Sequence, residues 1–366
     1  MLEFHSSPNP TIGVEIELQL IDDSTLDLKN ISPKILADID KKFLNRIKYE
    51  LFESMIEINT DICSTVDEVN KDIKQTLDHL EEILKNYNAS INCSSLHPFA
   101  KGKNQIISND SRYKRIMKDL QIVGTRFITQ GLHVHIGIDD CEKVIKVNNA
   151  LRMYLPLLLA LTTSSPFYEG VDTGLYSYRT KIFESLPLAG LPDYLDNWNH
   201  FINLTDNLMK ANVIKSVKDL WWETRPHPGF GTVEVRICDV PTNFNEILAL
   251  VALIQALVVT LQNTDKHPNT HIQILESNKW QAARYGLEGT FIDPLNLKQL
   301  SIRKAIEGLC KLVEPKMASL GSVKYIKVLE EILIKGDGAT KKREIFYSSG
   351  SFEYMIRSLK DQFYQQ

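Results

Sequence analysis

The sequence predicts an α+β fold built around a largely antiparallel sheet. Short runs that alternate polar and apolar residues lie between long stretches of helical periodicity, and each run offers one apolar and one polar face, as antiparallel strands do. The chain has 366 residues, 43% hydrophobic and 24% charged, so it can bury a large core without disulfide or metal staples. That length also admits two domains, yet no internal repeat, low-complexity tract or Pro/Gly/Ser linker marks a boundary.

Helices are read from caps and spacing. Thr65 with Glu68 forms a capping box, and Val69, Ile73, Leu77, Leu80 and Leu84 carry the helix to about residue 88. A second helix is expected over 143–162, kinked or divided by Pro156. The stretch 244–262 is apolar almost all round and should lie between other elements. Its longest apolar run, 247–261, is interrupted by Gln255 and falls short of the roughly 20 residues a bilayer needs, so a buried helix is expected and not a membrane span. Further helices are expected near 297–313 and 322–333, and the polar GDGATKKRE after Gly336 reads as a loop.

Charge narrows the function. With 42 Lys plus Arg against 46 Asp plus Glu, the net charge of −4 excludes a general nucleic-acid binder. Cys63, Cys93, Cys141, Cys238 and Cys310 are scattered without a CxxC pair, so they read as reduced thiols, which favours a cytoplasmic location. The N-terminal residues show no basic start followed by an apolar stretch, so no secretory signal is expected.

Four strands share one chemistry. Glu15 and Glu17 oppose Val14, Ile16 and Leu18; Glu57 and Asn59 oppose Ile56 and Ile58; His133 and His135 share a face; and Thr232, Glu234 and Arg236 oppose Val233, Val235 and Ile237. Water-facing strands usually mix Thr, Ser, Lys and Glu, whereas these faces hold acids, two imidazoles and one arginine with no lysine. If the strands form one sheet, the carboxylates crowd one surface and raise each other's pKa unless a cation intervenes. Oxygen donors suit Mg²⁺, with Mn²⁺ as the alternative, and Arg236 then reads as a phosphate clamp. No GxxxxGK[ST] or GxGxxG motif occurs, so a Gly-rich loop does not hold the nucleotide.

The residues carry a family resemblance. Nine motifs follow in order: Gly13-Val14-Glu15-Ile16-Glu17; Glu50-Leu51 with Ile56-Glu57-Ile58-Asn59-Thr60; His97-Pro98-Phe99-Ala100; Gly131 to Gly137; Ser177-Tyr178-Arg179; Pro187 to Pro192; Trp221 to Pro228; Gly231 to Arg236; and Ala283-Arg284-Tyr285-Gly286. Together they resemble the type 2 glutamate-cysteine ligases, the carboxylate-amine ligases of the YbdK type, relatives of glutamine synthetase. The resemblance implies one catalytic domain over 1–366 with a glutamine synthetase-like curved sheet and helices on its convex face. It implies ATP, Mg²⁺, a carboxylate such as L-glutamate, an amine such as L-cysteine, and an acyl-phosphate intermediate. By the same resemblance Glu15, Glu17, Glu50, Glu57 and Glu234 are metal ligands, joined by His133 or His135. Arg236 and Glu234 are catalytic, Arg236 and Arg284 meet ATP, and Arg179, Trp222 and Arg225 meet substrate, Arg179 through the acceptor's α-carboxylate. A homo-oligomer is also implied.

One departure concerns the acceptor. The family pattern has Gly-Thr where this chain has Ser95-Leu96, so if that turn touches the amine, the second substrate need not be cysteine. The two competing expectations are a guanidino-type phosphotransferase and a non-catalytic ATP or metabolite binder. Crowding of unneutralised acids also predicts that Glu234→Gln leaves thermal stability unchanged or higher.

Overall fold

The alternation that begins at Ile12 runs for 11 residues and makes Ile12–Asp22 the axis of the sheet. The computed structural model describes residues 3–263 and 269–364, so the outer ends of the expected 1–366 domain lie outside the described residues. In chain order the strands are β1 Ile12–Asp22, β2 Ile47–Tyr49, β3 Met55–Asn59, β4 Ala89–Asn92, β5 Leu132–Gly137, β6 Phe167–Tyr168, β7 Val171–Asp172, β8 Thr224–His227, β9 Thr232–Val235, β10 Thr290–Ile292 and β11 Gln299–Ser301.

Seven of these form one sheet, ordered β2-β3-β1-β5-β9-β8, with β4 beside the far half of β1. Every pairing in it is antiparallel. Two small hairpins, β6-β7 and β10-β11, stand apart. Side chains alternate faces, so Val14, Ile16, Leu18, Ile56, Ile58, Val134 and Val235 all enter the main core. The acids and imidazoles between them are left together on the other face.

Helices cover the apolar face. Phe244–Gln262 has the predicted limits and, although long and apolar enough to cross a membrane, is 83% buried within the protein over its most apolar window. Gln255, which interrupts its apolar run, donates to the carbonyl of Pro10 at 2.8 Å. Val66–Lys85 starts at the predicted capping box: the Thr65 hydroxyl accepts from the Glu68 amide at 3.2 Å, and the Glu68 carboxylate accepts from the Ser64 amide at 2.6 Å. The segment expected to bend at Pro156 is two helices, Cys141–Leu151 and Leu155–Thr162, at 62° to each other. Pro156 sits in the first turn of the second, where its missing N–H has no intrahelical partner to lose.

Two expectations are corrected. The helix placed at residue 297 starts at Ile302, because 290–301 fold into the β10-β11 hairpin and Ser301 caps the helix that follows. The stretch after Gly336 is no loop but the helix Gly338–Ser349, capped by Asp337, which accepts from the Thr340 amide at 2.9 Å. Its polar composition hides small buried residues: a Cβ on Gly338 would meet Ser164 Cβ at 3.1 Å. Lys342 is buried there, its ammonium donating to the Ser94 hydroxyl and, at 2.6 Å, to the Ser164 carbonyl. The five cysteines are unpaired as thiols.

Candidate active site

Register assembles the polar face. Across β3-β1-β5, Asn59, Glu15 and His133 stand in one row; Glu57 and Glu17 face each other in the next. Across β5-β9-β8, His135, Glu234 and Arg225 form a third row. Apart from Asn59, the rows line a cavity of about 290 Å³ whose wall also includes Glu50, Tyr113, Thr129, Trp221, His227 and Arg236. Ligand-type atoms fall into two sets, Glu15-His133-Glu234 and Glu17-Glu50-Glu57, each within 4.8 Å of one another.

The two sets differ in charge. Glu234 is 1% exposed and held by two guanidinium groups, Arg225 Nη2 at 2.8 Å and Arg236. Burial opposes its ionisation, yet the charges of Arg236 and Arg225 overcome this and hold the carboxyl well below the usual range. Glu15 is likewise held low against burial by contacts with His133 at 3.3 Å and His135 at 3.6 Å. The second set lacks such neutralisation. Burial, opposed in part by the charge of Arg179, raises Glu17 to about 7. Burial together with the charge of Glu17 does the same for Glu50, and burial with Glu15 and Glu50 pushes Glu57 up.

The donor sets fit a hard divalent cation. Three crowded carboxylates with elevated pKa values are what a missing positive charge leaves behind, and all their donors are oxygen. In the other set the Nε2 atom of His133 is buried and without a hydrogen-bond partner, as is that of His135 beside it. Of the imidazoles, His133 belongs to the donor set, with burial first and Arg236 second lowering it to about 4 and so keeping it neutral. His135 braces the carboxylates instead. Its Nδ1 shares a 3.0 Å hydrogen bond with Thr232, and its Nε2 lies 3.6 Å from Glu15 and 3.7 Å from Glu234.

Other expected residues are placed differently. Arg179 is 3% exposed on the short Tyr178–Phe183 helix, beside a smaller neighbouring cavity that it shares with Arg236. It donates to the carbonyls of Ile237 at 3.2 Å and Arg236 at 3.3 Å, and pairs with Asp239 at 3.7 Å. Gly131 makes room for it: a Cβ there would collide with its guanidinium and approach His133 Nε2 to 2.9 Å. Trp222 does not line the main cavity but does line the smaller one, beside Arg179 and Arg236. It is 8% exposed and packs against Phe201 in the core, while Trp221 takes the wall position, because neighbouring residues in an extended chain face opposite ways. Arg284 is also absent from the main cavity's wall, donating to the Gly174 carbonyl and sitting over the Tyr285 ring. Ser95 and Leu96 do not reach it either: they are 0% and 1% exposed, and the Ser95 hydroxyl accepts from the Val240 amide at 2.6 Å.

Several wall residues carried no signal in the sequence. Tyr113 and Ile116 come from the Ser111–Leu120 helix, and Phe127, Thr129 and Phe183 from segments without period-two alternation. His227 and Phe230 stack at 4.1 Å against the edge of His135. Of the two, only His227 lies in a motif, Trp221 to Pro228.

Comparison with known proteins agrees with this geometry. The family model described as glutamate-cysteine ligase family 2 matches residues 11–358. A Gloeobacter violaceus protein, named by inference as glutamate–cysteine ligase 2, is 39% identical over 98% of each chain. One from Solibacter usitatus with the same inferred name is 36% identical over 95% of this chain and 92% of its own. Among solved structures, the glutamate–cysteine ligase of Francisella tularensis, crystallised with AMP, superposes with a TM-score of 0.73 at 17% identity, over 99% of this chain and 90% of that one. A bifunctional glutathione synthetase from Pasteurella multocida gives 0.69 at 14% identity, over 97% of this chain and 52% of that one. These last two share the fold, which is the α+β, glutamine synthetase-like architecture. With the donor sets in register and the match spanning nearly its whole length, the chain belongs to glutamate-cysteine ligase family 2 and, at that level, is an ATP-dependent, amide-forming carboxylate–amine ligase.

Proposed function

We propose that this ligase phosphorylates the γ-carboxylate of L-glutamate, or a similar carboxylate, with ATP and joins the acyl phosphate to an amine. The observation that carries the reading is the asymmetry of the two donor sets: one is paired with Arg225 and Arg236, while among the described residues no arginine pairs with the other. Polyphosphate belongs with the arginines. The AMP bound by the Francisella tularensis neighbour supports a nucleotide on this fold. Glu15, His133 and Glu234 would hold one Mg²⁺ or Mn²⁺, and Glu17, Glu50 and Glu57 another, on a single catalytic domain. Such ions neutralise phosphate charge and polarise phosphoryl oxygen.

The chain's own groups do the positioning. Arg236 would lie against the transferring phosphoryl group, where a fixed fork of donors matches its oxygens. Arg225 locks Glu234 and keeps it ionised. Arg179, whose Nε is buried without a partner, would meet a substrate carboxylate at the boundary of the two cavities. In the first step a carboxylate oxygen attacks the γ-phosphorus and the bond to ADP breaks. In the second, the amine nitrogen attacks the acyl carbon, the carbon–oxygen bond to phosphate breaks, and phosphate leaves with the electron pair while the amine's proton passes to phosphate or water. Holding the reactants in line contributes most of the acceleration.

The test is ADP release. It should require a carboxylate substrate and an amine together; release unaffected by either addition would contradict the reading.

A further inference from the structure

Resting on that ligase reading, we infer that the acceptor is a primary amine with an apolar body, aliphatic or aromatic, and not a short thiol amino acid. The cavity has a second character beside its acids. Leu51, Ile116, Leu120, Phe127, Phe183 and Trp221 line it continuously with the Glu17-Glu50-Glu57 set. Leu51 follows Glu50 directly in the chain, and the hydroxyl of Tyr113, from the same helix as Ile116 and Leu120, lies 3.4 Å from the Glu50 carboxylate. An amine aimed at this set therefore trails its body along the apolar wall.

The wall is built and not incidental. Five of the six residues belong to a satellite apolar cluster distinct from the main core, anchored by buried Phe52, Met55 and Ile128. Phe183 meets Phe127 edge-on at 5.8 Å and Trp221 edge-on at 6.0 Å, so the aromatic surface is fixed before substrate arrives. Two of the cations lining the cavity near this wall have partners, and Lys218 lines it as well. Arg112 lies over Trp221 at 5.6 Å, donates to the Lys218 carbonyl at 3.3 Å and stands 3.9 Å from Asp219. Lys48 stands 3.9 Å from Glu57. The wall's own contribution to recognition is thus apolar contact. The arginines beside Glu234 leave the polyphosphate to the opposite end.

The test compares phenethylamine, isoamylamine, ethanolamine and L-cysteine as acceptors with ATP, Mg²⁺ and L-glutamate, alongside hydroxylamine, which needs no side-chain pocket to trap an acyl phosphate. The apolar amines should exceed ethanolamine and L-cysteine in kcat/KM by at least about tenfold, the discrimination that a few buried methylenes give. A kcat/KM for L-cysteine or ethanolamine equal to or above that of the apolar amines, with hydroxamate formed from hydroxylamine, would overturn the inference and leave the ligase intact. Absence of hydroxamate would overturn both. Ile116→Ser locates the effect, on a helix with no fully buried residue, so folding is not at stake. It should raise KM for phenethylamine about tenfold, with a smaller effect on KM for ATP. A larger rise in KM for ATP would put the nucleotide base on this wall and overturn the inference.

Discussion

Glu17 stands directly opposite Glu57 in the β1-β3 register, and Glu50 closes the triangle from the segment entering β3. Three carboxylates share a site whose one close ammonium among the described residues is Lys48, 3.9 Å from Glu57. Removing one of these charges without metal should relieve repulsion. Glu57→Gln is expected to stabilise the metal-free protein by on the order of 1 kcal/mol and to abolish metal-dependent activity. Thermal melts in EDTA and in Mg²⁺ check both halves; a metal-free melting temperature well below wild type would contradict the crowding.

The same acids set a pH dependence. Glu17 and Glu50 have folded-state values of about 7, above the unfolded carboxyl range, so each binds its proton more tightly when folded. Their contribution to stability is therefore present in full below about pH 4 and lost as pH rises through about 7, on the order of 2 kcal/mol each. In EDTA, wild type should lose stability relative to Glu50→Gln between pH 5 and pH 8 on this scale. Saturating Mg²⁺ should remove that difference, and urea titrations at the two pH values measure it.

Glu234 is the opposite case. The crowding expected from sequence predicted that Glu234→Gln would be harmless to stability, but its carboxylate answers both Arg225 and Arg236. Neutralising it leaves two buried guanidinium groups without their acid, a loss of about 3 kcal/mol or more. The variant should melt lower as well as lose activity; an unchanged melting temperature would show the pairs to be absent in solution.

Two adjacent tryptophans should differ in emphasis, since both line the smaller cavity but only Trp221 lines the main one. Trp222→Ala opens a void beside Phe201 and is expected to cost about 3 kcal/mol or more of stability. Trp221→Ala removes cavity wall and should appear mainly as a higher KM for the amine. Denaturant melts and steady-state kinetics on the pair give the assignment.

Gly131→Ala tests Arg179. The added methyl occupies the space of the Arg179 guanidinium and crowds His133, while the backbone there needs no left-handed conformation. A displacement of about 1 Å at such groups costs on the order of 100-fold in kcat/KM. Activity within a few-fold of wild type would remove Arg179 from the site.

How far this site was legible follows from period. Glu15, Glu17, Glu57, His133 and Glu234 declared themselves because strand alternation sets polar side chains on one face, and register then brought them together. Glu50 lies outside any alternation and came only through the family motif. Tyr113, Phe127 and Phe183 stayed hidden because long-range packing, not local spacing, delivers them. Arg284 shows the converse: a motif can name a residue without saying which way it faces. The Gly338–Ser349 helix was missed since its docking rests on Gly338, Ala339 and a buried lysine, not on an apolar stripe.

The central claim is phosphoryl transfer onto the carboxylate, and ¹⁸O in the γ-carboxylate of L-glutamate tests it most directly. With ATP, Mg²⁺ and an accepted amine, one labelled oxygen should pass into inorganic phosphate for each amide formed. Unlabelled phosphate, or a stable phosphorylated amine with no phosphate released, would contradict it.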